Sequence, residues 1–437
     1  MKRKAMQNLI KWKNTAGHKP LIIQGARQVG KTWIMEEFAR TQYENVAYIW
    51  FEKNERMAAL FSGDMNTERL LLGLEVEVGH KITPGKTLVI FDEIQDCPNA
   101  LTSLKYFNEN ASEYDILAAG SLLGVFLHEG TSFPVGKVEF LHLRPMNFCE
   151  FLSAMGEERL CELLDKQDWD MIKVFKDKFT YYLRLYFYVG GMPEAVKKFV
   201  NNKDFEAVRK TQQDILTAYK EDFSNHVPKH HIQKVVQIWE AVPYQLAKEN
   251  KKFMYSEVQS GARASTYETA LEWLLRGGLI HRISRISKPA LQLKGYANAS
   301  AAFKLFMVDV GLLSAMSRLD IRAILEGNAL FTEFKGALTE QFVCQELHSM
   351  PDDFDIAYWA NEAPARAEID FVLQAGAQVI PLEVKSYINL KSRSLSVYRE
   401  KFQPKTELRT SLADYKKTVN LVDVPLYALG KLKEIIK

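Results

Sequence analysis

Apolar residues in this chain occur first in short unbroken runs and later at helical spacing. Leu21-Ile22-Ile23, Val46-Ala47-Tyr48-Ile49, Thr87 to Phe91 and Ile116 to Ala119 are compact runs bounded by polar residues. Helical patterns such as Lys31 to Arg40 lie between them. Strands that alternate with helices predict a parallel sheet covered on both faces, and a further run at Val138 to Leu143 extends it. From about Arg144 to Phe223 the pattern turns helical, as in Trp169 to Phe187, with one forced break at Gly190-Gly191-Met192-Pro193. Between Lys229 and Ile286 three helical patterns precede a hairpin. The stretch SEVQSGARASTYETALEWLLRGGLIHRIS reads helix, turn, helix, Gly-Gly, strand, the order a winged helix-turn-helix requires. After about Ala301 come a strand (Lys304 to Val308), a helix (Gly336 to His348) and strands near Ile356, Ile369 to Leu373 and Val379 to Val384. A helix at Ser394 to Phe402 and a last strand near Pro425-Leu426-Tyr427 complete the pattern.

Length and composition narrow the class. At about 150 residues per domain, 437 residues predict roughly three domains. The hydrophobic fraction of 47% and charged fraction of 25% are those of an ordinary globular protein, and 23 glycines and 14 prolines exclude a collagenous or low-complexity chain. A net charge of +3 points to no partner, so any basic surface must be local. Cys97, Cys149, Cys161 and Cys344 lie far apart without metal-ligand spacing, against a zinc site or a disulfide framework. The basic start MKRKAMQNLIKWKN lacks the apolar core of a signal peptide, and no run has the length of a spanning helix. The expectation is a cytoplasmic protein with no membrane partner.

The first chemical signal is Gly25-Ala26-Arg27-Gln28-Val29-Gly30-Lys31-Thr32, which fits GxxxxGK[ST]. An apolar strand precedes it and a helix opening with Trp33 follows. Glycines in such a loop let backbone N–H groups close around phosphates, and the helix N-terminus adds partial positive charge. Lys31 is placed to reach the β- and γ-phosphates of ATP, and the Thr32 hydroxyl to hold Mg2+. A partner element is required at the end of a neighbouring buried strand, and Asp92-Glu93 supplies it after Thr87 to Phe91. Asp92 then belongs to the Mg2+ shell, while Glu93 orients or deprotonates the attacking water. Another strand ends in Gly120-Ser121, where a polar side chain is able to face the γ-phosphate.

Taken together, GARQVGKT, FDEIQ and AAGSLLG resemble an AAA+-related ATPase of the STAND/archaeal-ATPase-like group. RPMNFCEFL (Arg144 to Leu152), GGMPEAV (Gly190 to Val196) and KLFMVDVGLL (Lys304 to Leu313) are similar to stretches of the same family. The resemblance implies Ser121 as the sensor residue and Gly191 and Pro193 as a lid contact near the nucleotide. It implies an α/β fold with a P-loop NTPase core on a parallel sheet, then a helical lid, a winged helix and a smaller α/β nuclease-like domain. The expected boundaries are 1–148, 149–228, 229–300 and 301–437. Where relatives often carry Gly-Arg, this chain has Gly136-Lys137, and Arg144 is the substitute candidate for an arginine finger.

Near the C-terminus, Glu368-Ile369-Asp370-Phe371-Val372 and Leu382-Glu383-Val384-Lys385 set charges into apolar strands. Period-two alternation puts Glu383 and Lys385 on one face, and the Gln374 to Gln378 turn leaves Asp370 on the preceding strand. The set resembles a PD-(D/E)xK nuclease, with Asp370, Glu383 and Lys385 as the motif and Glu340 as the helical carboxylate. Carboxylates of this kind hold a hard divalent cation, here a second Mg2+ or Mn2+, and Lys385 positions the nucleophile. From Lys385 to Lys437 there are 12 Lys and Arg against 5 Asp and Glu, an excess of seven that suits DNA or RNA phosphates and equally a solvated tail.

The leading reading is an ATPase, a hydrolase coupled to a nuclease-like domain acting on nucleic acid, with a homo-oligomer as a candidate assembly. The alternative is a STAND-type signalling or scaffold ATPase whose C-terminal domain is an inert interaction module. A small-molecule kinase is the remote third, since neither the lid nor the winged helix builds an acceptor pocket.

Overall fold

The computed structural model describes residues 1–121, 134, 136–248, 251–297, 302–326, 332–350, 354–361, 367–386 and 393–436. Two compact units emerge: Lys2–Arg144 with Arg276–Gly278, and Met1 with Pro145–Leu275 and Leu279–Lys437. The division expected from the sequence is finer, because lid, helix-turn-helix and last domain fall together in the second unit.

In the first unit, strands β1 (Leu21–Gly25), β2 (Asn45–Trp50), β3 (Thr87–Asp92), β4 (Ile116–Ser121) and β5 (Glu139–His142) form one sheet in the order β5-β1-β4-β3-β2. All its pairings are parallel. The fold class is α/β, as the strand–helix alternation predicts. β1 and β3 are buried at every position, as central strands under two helical layers must be. The helices are α1 (Lys4–Lys13), α2 (Lys31–Gln42), α3 (Glu55–Ser62), α4 (Thr67–Val78) and α5 (Pro98–Asn110). Asn54 and Asn66 cap α3 and α4 through side-chain oxygens on Met57 N and Arg69 N, and Pro98 opens α5 at the position where a missing N–H costs nothing. Phe51, Phe61 and Phe91 meet edge to face with centroids 5.4–5.7 Å apart, welding β3 to α3.

Helices dominate the start of the second unit: α6 (Phe148–Ala154), α7 (Glu158–Lys166), α8 (Trp169–Val174), α9 (Lys176–Val189), α10 (Pro193–Asn202), α11 (Phe205–His226), α12 (Lys229–Ala247), α13 (Tyr255–Val258) and α14 (Ala264–Arg276). The run read as continuous from Trp169 to Phe187 breaks at Phe175 into α8 and α9. β6 (Ile280–Ile286) and β7 (Phe303–Met307) pair antiparallel, so the hairpin expected before Ile286 takes its second strand from the run expected to open the last domain. Past β7 lie α15 (Val310–Met316), α16 (Ile321–Glu326) and α17 (Thr332–His348), then β8 (Asp355–Asn361), β9 (Ala367–Ala375) and β10 (Gln378–Val384). The chain ends with α18 (Arg393–Phe402), β11 (Glu407–Ser411), β12 (Lys416–Lys417), β13 (Leu421–Pro425) and α19 (Leu432–Ile435).

One eight-stranded mixed sheet has the order β12-β13-β11-β10-β9-β8-β6-β7. β6 also pairs parallel with β8, so the hairpin extends the C-terminal sheet instead of standing apart as a wing. The last strand ends at Pro425, one residue before its expected centre at Leu426, and Leu426–Lys431 winds into a 3-10 turn. Pro425 lacks an N–H for a further rung. β11 was not anticipated: ELRTS is polar in composition yet buried at all five positions, because Glu407 and Arg409 are paired with Arg399 and Asp423. Among the described residues, no helix is long and apolar enough to cross a membrane.

Candidate functional site

The phosphate-type loop lies between β1 and α2 at the C-terminal edge of the parallel sheet. Parallel strands end there with unpaired backbone, and helices begin there. β1 is flanked by β4 and β5, and the register aligns Gly25 with Ser121. Gly25 is fixed by close approach: a Cβ there would drive into the Leu143 carbonyl, which follows β5. Leu143 N donates to Gln24 O at 2.7 Å, holding that strand tight. Gln28 (φ 64°) and Gly30 (φ 92°) take left-handed conformations, the kind of backbone that turns successive N–H groups into an anion-binding concavity. Ala26 and Val29 are buried beneath the loop, Arg27 is half-buried and Trp33 is 38% exposed on α2.

Lys31 is buried, and its ammonium donates to Gly25 O at 2.9 Å and Ala26 O at 3.0 Å. It is therefore held directly beneath the loop. The Thr32 hydroxyl donates to Asp92 Oδ2 at 2.9 Å, so the first turn of α2 touches the end of β3. Asp92 is 4% exposed and also accepts from Glu93 N at 3.0 Å and Tyr48 OH at 2.5 Å. Three donors satisfy a carboxylate that would otherwise be costly to bury. Burial and then Asp92 push the Tyr48 phenol well above its ordinary range, which keeps it a donor. Tyr48 was not singled out from sequence. Its signal is a lone hydroxyl inside an apolar strand run.

Glu93 follows with φ 53°, a left-handed conformation that costs on the order of 1 kcal/mol for a residue with a Cβ. Gln95 Nε2 donates to its Oε2 at 2.6 Å and fixes the carboxylate beside Asp92. Ser121 is the last residue of β4; its side chain and residues 122–124 of the AAGSLLG turn lie outside the described residues. Lys137, where an arginine was looked for, pairs with Glu109 at 2.9 Å. The Arg144 carbonyl accepts from Arg3 Nη2 at 2.5 Å.

Gly191 and Pro193 lie in the second unit, where three of the family-like stretches meet. Gly191 N donates to Asp309 Oδ2 at 2.6 Å, and Gly191 O accepts from Met146 N at 2.7 Å. A Cβ on Gly191 would collide with the Met146 carbonyl, and one on Gly190 (φ 73°) with the Asp309 carboxylate and Gly311. Asp309 has no exposed surface and accepts from Leu312 N at 3.0 Å and Gln345 Nε2 at 3.1 Å. Burial raises its carboxyl, while these donors oppose the shift. Tyr186 OH donates to Met146 O and receives from Gln345 Nε2 at 2.8 Å. Pro193 opens α10 at a helix start that needs no N–H.

The C-terminal sheet brings its expected residues into one region. Glu383 pairs with Lys385 at 2.8 Å, and Asp370 Oδ2 accepts from the intervening Val384 N at 2.8 Å. Glu340, buried on α17, points to a neighbour that the sequence reading had assigned no role: Lys304 of β7. The Lys304 ammonium lies 2.5 Å from Glu368, 3.4 Å from Glu340 and 3.9 Å from Asp370. Lys251 forms a second, short ion pair with Glu340. Burial works against the Lys304 charge, but Glu340, Glu368 and Asp370 outweigh it and hold the ammonium above the ordinary lysine range. Burial raises Glu340, yet the two lysines bring it below the usual carboxylate range. Asp370 is pushed up to about 7, by burial first and then by Glu340. Among the described residues, no group of three or more His, Cys, Asp or Glu stands in a metal-holding arrangement.

A comparison with curated proteins finds no match. Among solved structures, the Walker-type ATPase of Pyrococcus abyssi is similar at 14% identity, covering 72% of this chain and 95% of that chain with a TM-score of 0.44. The ORC1 protein of Aeropyrum pernix, solved in complex with DNA, is similar at 12% identity over 73% of this chain and 93% of that chain, TM-score 0.27. Cdc6p of Pyrobaculum aerophilum stands at 11% identity, 74% and 93% coverage and a TM-score of 0.26. Two family profiles described as domains of unknown function match residues 180–323 (DUF8612) and 335–428 (DUF4143). Residues 17–152, which carry the loop, the Asp92-Glu93 strand end and Ser121, match the profile of an AAA domain.

Proposed function

We propose that this protein is a Mg2+-dependent ATPase that works as a nucleotide switch on its C-terminal module. The single observation carrying this reading is the 2.9 Å hydrogen bond between Thr32 and Asp92, which joins the loop's hydroxyl to the acidic strand end. Hydroxyl and carboxylate oxygens in contact form a hard donor set that fits Mg2+. Residues 25–33 cradle the phosphates of ATP, with Thr32 and Asp92 holding the metal. Mg2+ bound there supplies charge neutralisation at the β- and γ-phosphate oxygens.

Lys31 exchanges two carbonyl acceptors for phosphate oxygens as the nucleotide arrives. Glu93, fixed by Gln95, takes the proton of the attacking water as its oxygen bonds to the γ-phosphorus and the bond to the bridging oxygen breaks. Ser121 reports the γ-phosphate, and Gly191 with Pro193 supplies the lid contact. Hydrolysis by the isolated chain is slow, because the position where relatives often carry an arginine holds Lys137, which pairs with Glu109. Glu93→Gln tests the assignment. ATP affinity should stay within about twofold while turnover falls about 10²-fold or more, the usual worth of a positioned general base. Undiminished phosphate release by Glu93→Gln would remove Glu93 from the mechanism.

For the C-terminal module, the pocket filled by Lys304 favours an interaction module with a nuclease-like sheet that does not cleave. Its excess of positive charge suits DNA or RNA backbones, bound with an affinity that falls as salt rises. The second reading is cleavage of nucleic acid with Mg2+ or Mn2+ at Glu340, Asp370, Glu383 and Lys385, and the 2.8 Å Glu383–Lys385 pair beside Asp370 favours it. Incubation of assorted DNAs and RNAs with divalent ions, with and without ATP, separates the two: binding without cleavage is expected, and divalent-dependent cleavage lost in Asp370→Ala would reverse the choice.

A further inference from the structure

Lys304 has no exposed surface, and a lysine is among the most expensive groups to bury. It rests on β7, in the apolar run FKLFM, with its ammonium over the Tyr358 ring at 5.1 Å and against three carboxylates from α17 and β9. Those carboxylates belong to Glu340, Glu368 and Asp370. A hard divalent cation held by such oxygens sits about 2.0–2.6 Å from each. The ammonium already fills that space, with its nearest oxygen at 2.5 Å.

We propose that Lys304 is the resident cation of this cluster, standing in the place of a divalent metal and keeping the C-terminal sheet metal-free in the intact protein. The inference deepens the interaction-module reading and rests on it. Charge balance supports the assignment. Glu340, Glu368 and Asp370 bring three negative charges, and Lys304 with Lys251 returns two positive ones. One net negative charge, spread over three carboxylates, is all that remains to attract a dication. A dication brought alongside would face the Lys304 ammonium at a few ångströms, a repulsion that the carboxylates must then share between two cations. Glu383 adds nothing to the balance, since Lys385 neutralises it at 2.8 Å.

The test is Mn2+ binding, followed by electron paramagnetic resonance on the full-length chain without nucleotide, which leaves the ATPase reading untouched by the result. Wild type and Asp370→Asn should bind Mn2+ alike, since the cluster takes none. Lys304→Ser should gain one Mn2+ site at least tenfold tighter than any in wild type, and the double variant Lys304→Ser/Asp370→Asn should lose it. If Lys304→Ser does not fold alone, Lys304→Met keeps the packing of the stem, and added Mn2+ should raise the melting temperature of either variant. Wild-type Mn2+ binding that disappears in Asp370→Asn would overturn the proposal. So would a folded Lys304→Ser that gains no site, or unfolded variants that Mn2+ leaves unfolded. Failure here with no cleavage by wild type would still leave the module reading in place, whereas cleavage by wild type would remove that reading itself.

Discussion

Lys31→Ala should abolish tight ATP binding. The ammonium is fixed beneath the loop, 2.9 and 3.0 Å from Gly25 O and Ala26 O. Hydrogen bonds to charged groups contribute about 1.5–3 kcal/mol each, and Lys31 serves two phosphates, so the loss is about 3–6 kcal/mol. That corresponds to roughly 10²–10⁴-fold in Kd. Alanine is a strong helix former and keeps the first turn of α2, so circular dichroism should show an unchanged fold. Titration with a fluorescent ATP analogue reads the result, and an unchanged Kd would remove the loop from nucleotide binding.

The second large effect is on stability. Asp309→Ala withdraws the acceptor shared by Gly191 N, Leu312 N and Gln345 Nε2, all of them buried. Each stranded donor costs about 1–3 kcal/mol, so the second unit should lose at least about 3 kcal/mol. Asp309→Asn should lose less, because one oxygen still caps α15, though its amide then faces the Gly191 and Gln345 donors. Urea unfolding followed by far-UV circular dichroism measures the midpoint shift. A shift for Asp309→Ala equivalent to less than about 0.5 kcal/mol, the scale of an ordinary surface change, would mean that water replaces the carboxylate. The same network explains why Gly190 and Gly191 tolerate no side chain: each presses on backbone or on Asp309 itself.

Much of the first unit was legible because its signals are local. An unbroken apolar run, a loop of fixed spacing and an acidic strand end each occupy adjacent positions, and β1, β3 and β4 follow directly from them. The C-terminal unit depends on distant partners and yielded less. ELRTS carries no strand pattern until Arg399 and Asp423 neutralise its charges. Lys304 entered the sequence reading only as the start of a strand, and only the fold brings Glu340, Glu368 and Asp370 to it from α17 and β9. Hydrophobic alternation correctly paired Glu383 with Lys385 on one face, yet it contains no information about which cation Asp370 meets. The Gly-Gly-Met-Pro break was legible as a break; its tie to Asp309 runs across more than a hundred residues.

Phosphate release from ATP by the full-length protein tests the central claim most directly. With Mg2+ the wild type should release inorganic phosphate slowly over many turnovers, and EDTA should stop it. Asp92→Asn should stop it as well, because Asp92 holds the metal and accepts from Thr32 and Tyr48 at the same oxygen. Release no faster than in buffer, or release that persists in Asp92→Asn, would contradict the account.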